Sequence, residues 1–181
     1  GPRPIGWISS QDAEGRLNLA PYSFFNAFAY RPPIIGFSSE GEKDSLNNIR
    51  ATKEFCWSLA TRPLAEQMNA SSAMVAHEVN EFELAKLTPA ASQKVAVPRV
   101  AESPVSFECR LTQIVRLEDV NGTPMNNWLV LGEVVGIYIA KHLLKDGIYD
   151  TPAAEPILRG GGAAEGERRE RDGHPRDGRP R

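Results

Sequence analysis

Apolar and polar positions alternate along this chain in short runs, with the two-residue period of half-buried strands. Phe55 to Ala60 sets Phe55, Trp57 and Leu59 on one face and Cys56, Ser58 and Ala60 on the other. Ser103 to Thr112 sets Val105, Phe107, Cys109 and Leu111 against Ser106, Glu108, Arg110 and Thr112. Ile5 to Ser9 and Leu17 to Ala20 flank the polar, glycine-containing run Gln11 to Arg16, which predicts a hairpin. Ile34 to Ser38 follows Pro32-Pro33, residues that cannot lie inside a central strand. Asn121-Gly122 separates the apolar run Trp128 to Ile139 from the strand before it, a second hairpin signal. Helical period is confined to two short stretches. One spans Ser45 to Thr52, with Asp44 as N-cap and Leu46 and Ile49 on one face; the other spans Leu64 to Asn69, after Pro63. Many short strands with few helices predict a mainly β, antiparallel barrel and exclude a parallel βαβ sheet, whose crossover helices are missing.

Composition narrows this picture. The chain has 181 residues, 41% of them hydrophobic and 24% charged, enough apolar material for one cored domain. From Ala163 onward there is no Leu, Ile, Val, Phe, Tyr, Trp or Met, and six arginines interleave with five acids. The division is therefore a domain over 1–162 and a charged tail over 163–181, read as a solvated segment. The net charge of −2 argues against a nucleic-acid partner. No apolar run approaches the ~20 residues of a membrane-spanning helix. Two cysteines and three scattered histidines make neither a disulfide scaffold nor a metal site, and a reducing cytoplasm is expected.

Two segments carry candidate chemistry. In Ser38-Ser39-Glu40-Gly41-Glu42-Lys43-Asp44-Ser45 a strand ends, a glycine-containing loop turns and a helix begins. A helix start offers unpaired N–H groups and partial positive charge, Ser38, Ser39 and Ser45 offer hydroxyls, and Lys43 a full charge: a setting for a phosphate monoester. The same residues also read as a capped helix after a polar loop with Lys43 in solvent. In Asn18-Leu19-Ala20-Pro21-Tyr22-Ser23-Phe24-Phe25-Asn26, small residues, aromatics and two amides suit a flat ring with carbonyl and N–H edges. On its own it reads first as an aromatic corner of the core, since aromatics most often serve packing. The nucleophile elbow G-x-S-x-G and the Walker loop are absent.

The ordered set of motifs resembles the flavin reductase-like family with the FMN-binding split barrel, especially the reductase components of two-component flavin monooxygenases. Its carriers are Arg3-Pro4-Ile5-Gly6-Trp7-Ile8-Ser9, the Asn18 to Asn26 segment, Pro32-Pro33-Ile34, Lys43-Asp44-Ser45 with Asn48 and Arg50, Glu66 to Ser72, Asn80-Glu81-Phe82, Glu102 to Val105, Gly132-Glu133-Val134 and Asp146-Gly147. The resemblance implies an antiparallel, Greek-key-like split β-barrel with a few short helices, assembled as a homodimer. It implies FMN, rather than FAD, with Asn18, Ala20, Pro21, Tyr22, Ser23 and Asn26 along the ring system and Ser38, Ser39, Lys43, Asp44 and Ser45 around the phosphate. Arg3 and Arg50 are further phosphate candidates, and Asn69 to Ser72 a segment that closes the site. NAD(P)H would be the electron donor and a monooxygenase a possible recipient of reduced flavin. The chemistry would be the cofactor's, so the resemblance singles out no catalytic residue. The sequence departs from the family where relatives often carry histidines, at Trp128 and around Tyr138, and in its ending after Pro156. A non-enzymatic FMN electron carrier and a dimeric barrel without flavin are the alternatives.

Overall fold

The computed structural model describes residues 1–160; the tail expected over 163–181 lies outside the described residues. Seven strands form one antiparallel sheet: β1 (Gly6–Gln11), β2 (Leu17–Tyr22), β3 (Phe25–Tyr30), β4 (Pro33–Glu40), β5 (Glu54–Ser58), β6 (Val105–Glu118) and β7 (Pro124–Ile139). Their order is β2-β1-β5-β6-β7-β4-β3. Three helices interrupt them: α1 (Asp44–Thr52), α2 (Ala65–Ala70) and α3 (Glu81–Leu84). Arg3–Pro4 pairs with Leu158–Arg159 and ties the two ends of the described chain together.

The sheet curls on itself. Phe25 of the edge strand β3 stacks on Trp57 of β5 with centroids 5.6 Å apart, although β6, β7 and β4 lie between those strands along the sheet. Such a contact requires the two to meet across an interior. That interior holds Ile8, Phe37, Phe55, Cys109 and Val130, closed at one end by Leu46 and Ile49 of α1. Gly132, where β7 shifts register against β6, makes room for this core: a Cβ there would stand 2.4 Å from the Phe55 ring.

Trp7 and Leu19 face the other side of β1 and β2 and pack under α2 and α3 with Leu64, Phe82 and Val100. β1 is therefore buried on both faces, and so is β5, whose Cys56 packs against Val95 and Val97. This explains why Cys56, and Ala60 in the cluster with Trp7, both on the small-residue face of the alternation, are buried like Phe55.

Both predicted hairpins form. Asp12 Oδ1 accepts from the backbone N–H groups of Glu14 (3.0 Å) and Arg16 (2.8 Å), and Gly15 takes φ +83°. Asp119 Oδ1 shapes the Asn121-Gly122 turn in the same way. Element bounds differ from the sequence reading by one or two residues in most places and by more in the long hairpin, where β7 begins at Pro124 rather than Trp128 and β6 runs on to Glu118 rather than Thr112. β3 was hidden in the aromatic corner, and α3 was unexpected; its N-cap is Asn80, whose Oδ1 accepts from Phe82 N at 3.0 Å. The N-cap of α1 is Lys43, in extended backbone, and not Asp44. Asp44 begins the helix, and its carboxylate is turned to His77 instead of to the helix's own N–H groups.

Candidate functional site

A cavity of about 450 Å³ opens where β2, the end of β4 and the start of α1 converge. β2 and the following corner contribute Asn18, Ala20, Pro21, Tyr22, Ser23 and Phe24. β4 and the loop into α1 contribute Ser38, Glu40, Lys43, Asp44 and Ser45. The opposite wall is the segment after α2, Ser71 to Val75, with Glu81 of α3 behind. Nine of the eleven candidate residues thus meet at one cavity.

The two that do not are explained by their own partners. Ser39 is fully buried and donates to the Gly41 carbonyl at 3.0 Å, so it fixes the loop. Asn26 lies on β3, and its Oδ1 accepts from Ala27 N at 2.9 Å. Arg3 and Arg50 also stay away from the cavity: Arg3 donates to the Ser23 carbonyl (2.9 Å) and covers the Phe24 ring, while Arg50 pairs with Glu42 (3.3 Å).

Polar groups behind the walls are fixed by one another. Asn18 Nδ2 donates to Ser45 Oγ at 2.7 Å, and Asn48 Nδ2 donates to Ser10 Oγ at 3.2 Å. These side chains are buried, so each bond holds α1 to β1 and β2 where an unpaired group would be costly. The Tyr22 hydroxyl is the exception. It is buried without a hydrogen-bond partner in the chain, and its neighbours Ser45 and Ser39 are engaged with Asn18 and Gly41. Burial pushes this phenol above its ordinary pKa, against the pull of the two serine hydroxyls. The hydroxyl itself is closed off behind the cavity wall, beside these two serines.

The charges are mixed. Lys43 and the first N–H groups of α1 supply positive potential. Against them stand Glu40, Asp44 and Glu81. Asp44 is met by His77 Nδ1 at 3.0 Å. Burial pushes the Glu81 carboxyl above the usual carboxylate range, opposed by backbone N–H groups including that of Leu19, which donates to Oε2 at 3.1 Å. The far wall hangs from Trp7, whose Nε1 donates to Ser71 Oγ at 3.0 Å; Ser71 in turn donates to the Met68 carbonyl at 2.7 Å.

Sequence reasoning reached Ser71 and Ser72 through the closing segment but missed Ala73, Met74, Val75, Glu40 and Glu81 as lining residues. Asn80-Glu81-Phe82 was among the carriers of the resemblance, and a carboxylate between an N-cap and a buried aromatic was the available signal for Glu81. The residues standing where relatives often carry histidine serve the framework. Trp128 is buried in the barrel core, and Tyr138 lies under the Arg99 guanidinium at 3.8 Å. Neither lines the cavity. Burial pushes the Cys56 thiol up to about 12 and that of Cys109 well above its ordinary value, so neither is a thiolate nucleophile at neutral pH. Among the described residues no group of His, Cys, Asp and Glu is placed to hold a metal ion, and no helix is long and apolar enough to cross a membrane.

An antiparallel barrel with a ligand-sized cavity at a strand–loop–helix junction defines the split-barrel class. Residues 1–156 match the flavin reductase like domain, and the chain belongs to that family. It is 36% identical over 152 residues to an uncharacterized protein of Aquifex aeolicus, covering 81% of this chain and 74% of that one. Among solved structures it is similar to nitrilotriacetate monooxygenase component B from Bacillus cereus: 34% identity, TM-score 0.82, 88% of this chain and 80% of that chain. It is also similar to the 2-nitrobenzoate 2-nitroreductase NbaA of Pseudomonas fluorescens: 29% identity, TM-score 0.80, 90% and 78%.

Proposed function

We propose that the cavity binds FMN and that the protein is an NAD(P)H-dependent flavin reductase supplying electrons to a partner such as a monooxygenase. The observation that carries this reading is the pairing, in one cavity, of a flat-ring wall (Asn18 to Phe24) with a Lys43-bearing helix start. The volume of about 450 Å³ falls within the range of small-molecule sites. The Ser38 and Ser45 residues of the lining fit the polar edges of such a ligand. Lys43 is exposed at the mouth, where it can meet a phosphate dianion without the cost of a buried lone charge. FAD fits this reading less well, because its adenylate would have to pass beyond that mouth.

The bound flavin would supply the redox chemistry, accepting hydride and releasing electrons. The chain's own work is to bind and orient. Ala20 and Pro21 leave the ring a flat wall. The Asn18–Ser45 bond fixes the hydroxyl that faces it, and Lys43 sets which end points outward. This needs no side-chain acid or base. A homodimer is part of the proposal. Phe24, Phe28 and Tyr30, at the edge strand and the corner leading to it, are 65%, 53% and 82% exposed, and Phe24 reaches the cavity. A second copy covering this edge would bury them next to the flavin. The free, buried cysteines accord with a cytoplasmic setting.

The test is to follow NADH and NADPH oxidation by the purified protein with added FMN. Turnover with at least one nicotinamide is expected. A protein that binds FMN and is bleached by dithionite but by neither nicotinamide would be an electron carrier instead. A protein that FMN does not stabilise against heat would be a barrel without flavin.

A further inference from the structure

We propose that His77 is a positioning residue that fastens the Ser71–Val75 wall by standing between two carboxylates from separate parts of the fold. Its Nε2 is 3.4 Å from Asp12 Oδ2, in the β1–β2 turn, and its Nδ1 is 3.0 Å from Asp44 Oδ1, at the start of α1. Carboxylate oxygens only accept, so a ring standing between two of them is held at both nitrogens in its doubly protonated form alone.

Asp12 is a pre-set anchor. Its Oδ1 is occupied by the Glu14 and Arg16 N–H groups, which aims Oδ2 at Arg16 Nη2 (2.6 Å) and at His77. Asp44 is the other anchor and lines the cavity itself. The strap needs such fastening. Among the described residues its backbone is held by local turns, Ala73 N to Ala70 O at 3.2 Å and Val79 N to Ala76 O at 2.9 Å, and Met74 is 98% exposed. Trp7 ties the strap at Ser71 and the Asn80 cap begins α3; His77 ties the span between them. The contact also sets the imidazole against Asp44, beside Lys43, where an anionic ligand would otherwise meet a bare carboxylate. That consequence rests on the FMN reading, whereas the fastening does not.

The test uses the full chain without flavin and reads amide hydrogen exchange over residues 72–79. In His77→Ala, exchange there is expected to rise about two- to fivefold, the scale of a half-exposed ion pair, with α1 unchanged. At about pH 5.5, where an ordinary imidazole carries charge, raising salt from low to about 0.5 M should speed exchange in the wild type and in neither His77→Ala nor His77→Gln, because screening acts only where the charges still meet. Asp44→Asn in the His77→Ala background should add nothing, as expected of partners in one contact. Equal exchange in wild type and His77→Ala, or the same salt response in all variants, would overturn the proposal. A second readout is flavin affinity: His77→Ala should weaken FMN more than riboflavin, and equal weakening would show that the histidine does not offset Asp44. If the exchange results hold while no flavin binds, the fastening stands and the ligand reading fails.

Discussion

The two walls of the cavity are built in different ways. The wall from β2, β4 and α1 is continuous with the barrel. Leu46 and Ile49 are fully buried in the core, and behind the lining side chains lie the Asn18–Ser45 and Asn48–Ser10 bonds. The wall from Ser71 to Val75 has no apolar residue in any core cluster; it is tied by one indole hydrogen bond and one histidine between two acids. The first wall is expected to open only with the fold, the second at the cost of one or two polar contacts. Under the FMN proposal, ring and phosphate would meet the fixed surface, with the adjustable one beside it.

Leu46→Ala should strike the fixed wall hardest. Removing a fully buried leucine from beneath α1 should cost about 2–5 kcal/mol in denaturant unfolding and weaken FMN and riboflavin alike. A loss below 1 kcal/mol would mean that α1 is not part of the core. Lys43→Ala leaves the fold intact and removes one charge-assisted contact worth about 1.5–3 kcal/mol, so FMN should weaken roughly 10- to 150-fold while riboflavin hardly changes. Equal losses for both would move the phosphate elsewhere.

Trp7→Phe keeps the outer core filled but deletes the donor to Ser71. Stability should fall by about 0.5–1.5 kcal/mol, and exchange should quicken in residues 71–75 ahead of α1. Uniform quickening would erase the distinction between the walls.

Acid should act least. Asp119 lies below the ordinary carboxylate range through the Thr123 and Asn121 N–H groups, and Asp150 through Lys145 and Ala153 N. Burial pushes Asp12 up, but the Arg16 and Glu14 N–H groups, the Arg16 charge and His77 outweigh it, so it too is lowered. Such stabilisation is whole above the unfolded value of 3.8 and is lost as pH falls through the lower folded values. Glu81, raised, has the opposite sign: it favours the fold below its unfolded value of 4.5 and loses that contribution as pH rises. Three lowered groups against one predict a falling thermal midpoint below about pH 4. A midpoint that holds or rises there would contradict these assignments.

The fixed wall was legible in the sequence because it is local. Asn18 to Ser23 and Ser38 to Ser45 are short runs whose residue types are unusual for a plain strand or loop. The barrel was legible where one strand face is distinct, as at Phe55, Trp57 and Leu59. β3 was not, because Phe25–Tyr30 is apolar on both faces apart from Asn26, and a register shift between Ala27 and Ala29 breaks its alternation. Of the strap only Ser71 and Ser72 were reached, through the family resemblance; the rest was illegible for another reason. Its ties run from Ser71 to Trp7 and from His77 to Asp12 and Asp44, pairings across the fold that leave no local pattern.

A crystal structure of the full chain with FMN tests the central claim most directly. The ring system is expected along Asn18 to Phe24, and the phosphate at Lys43 and the first turn of α1. Flavin bound elsewhere, or in this cavity with its phosphate turned away from Lys43, would contradict it.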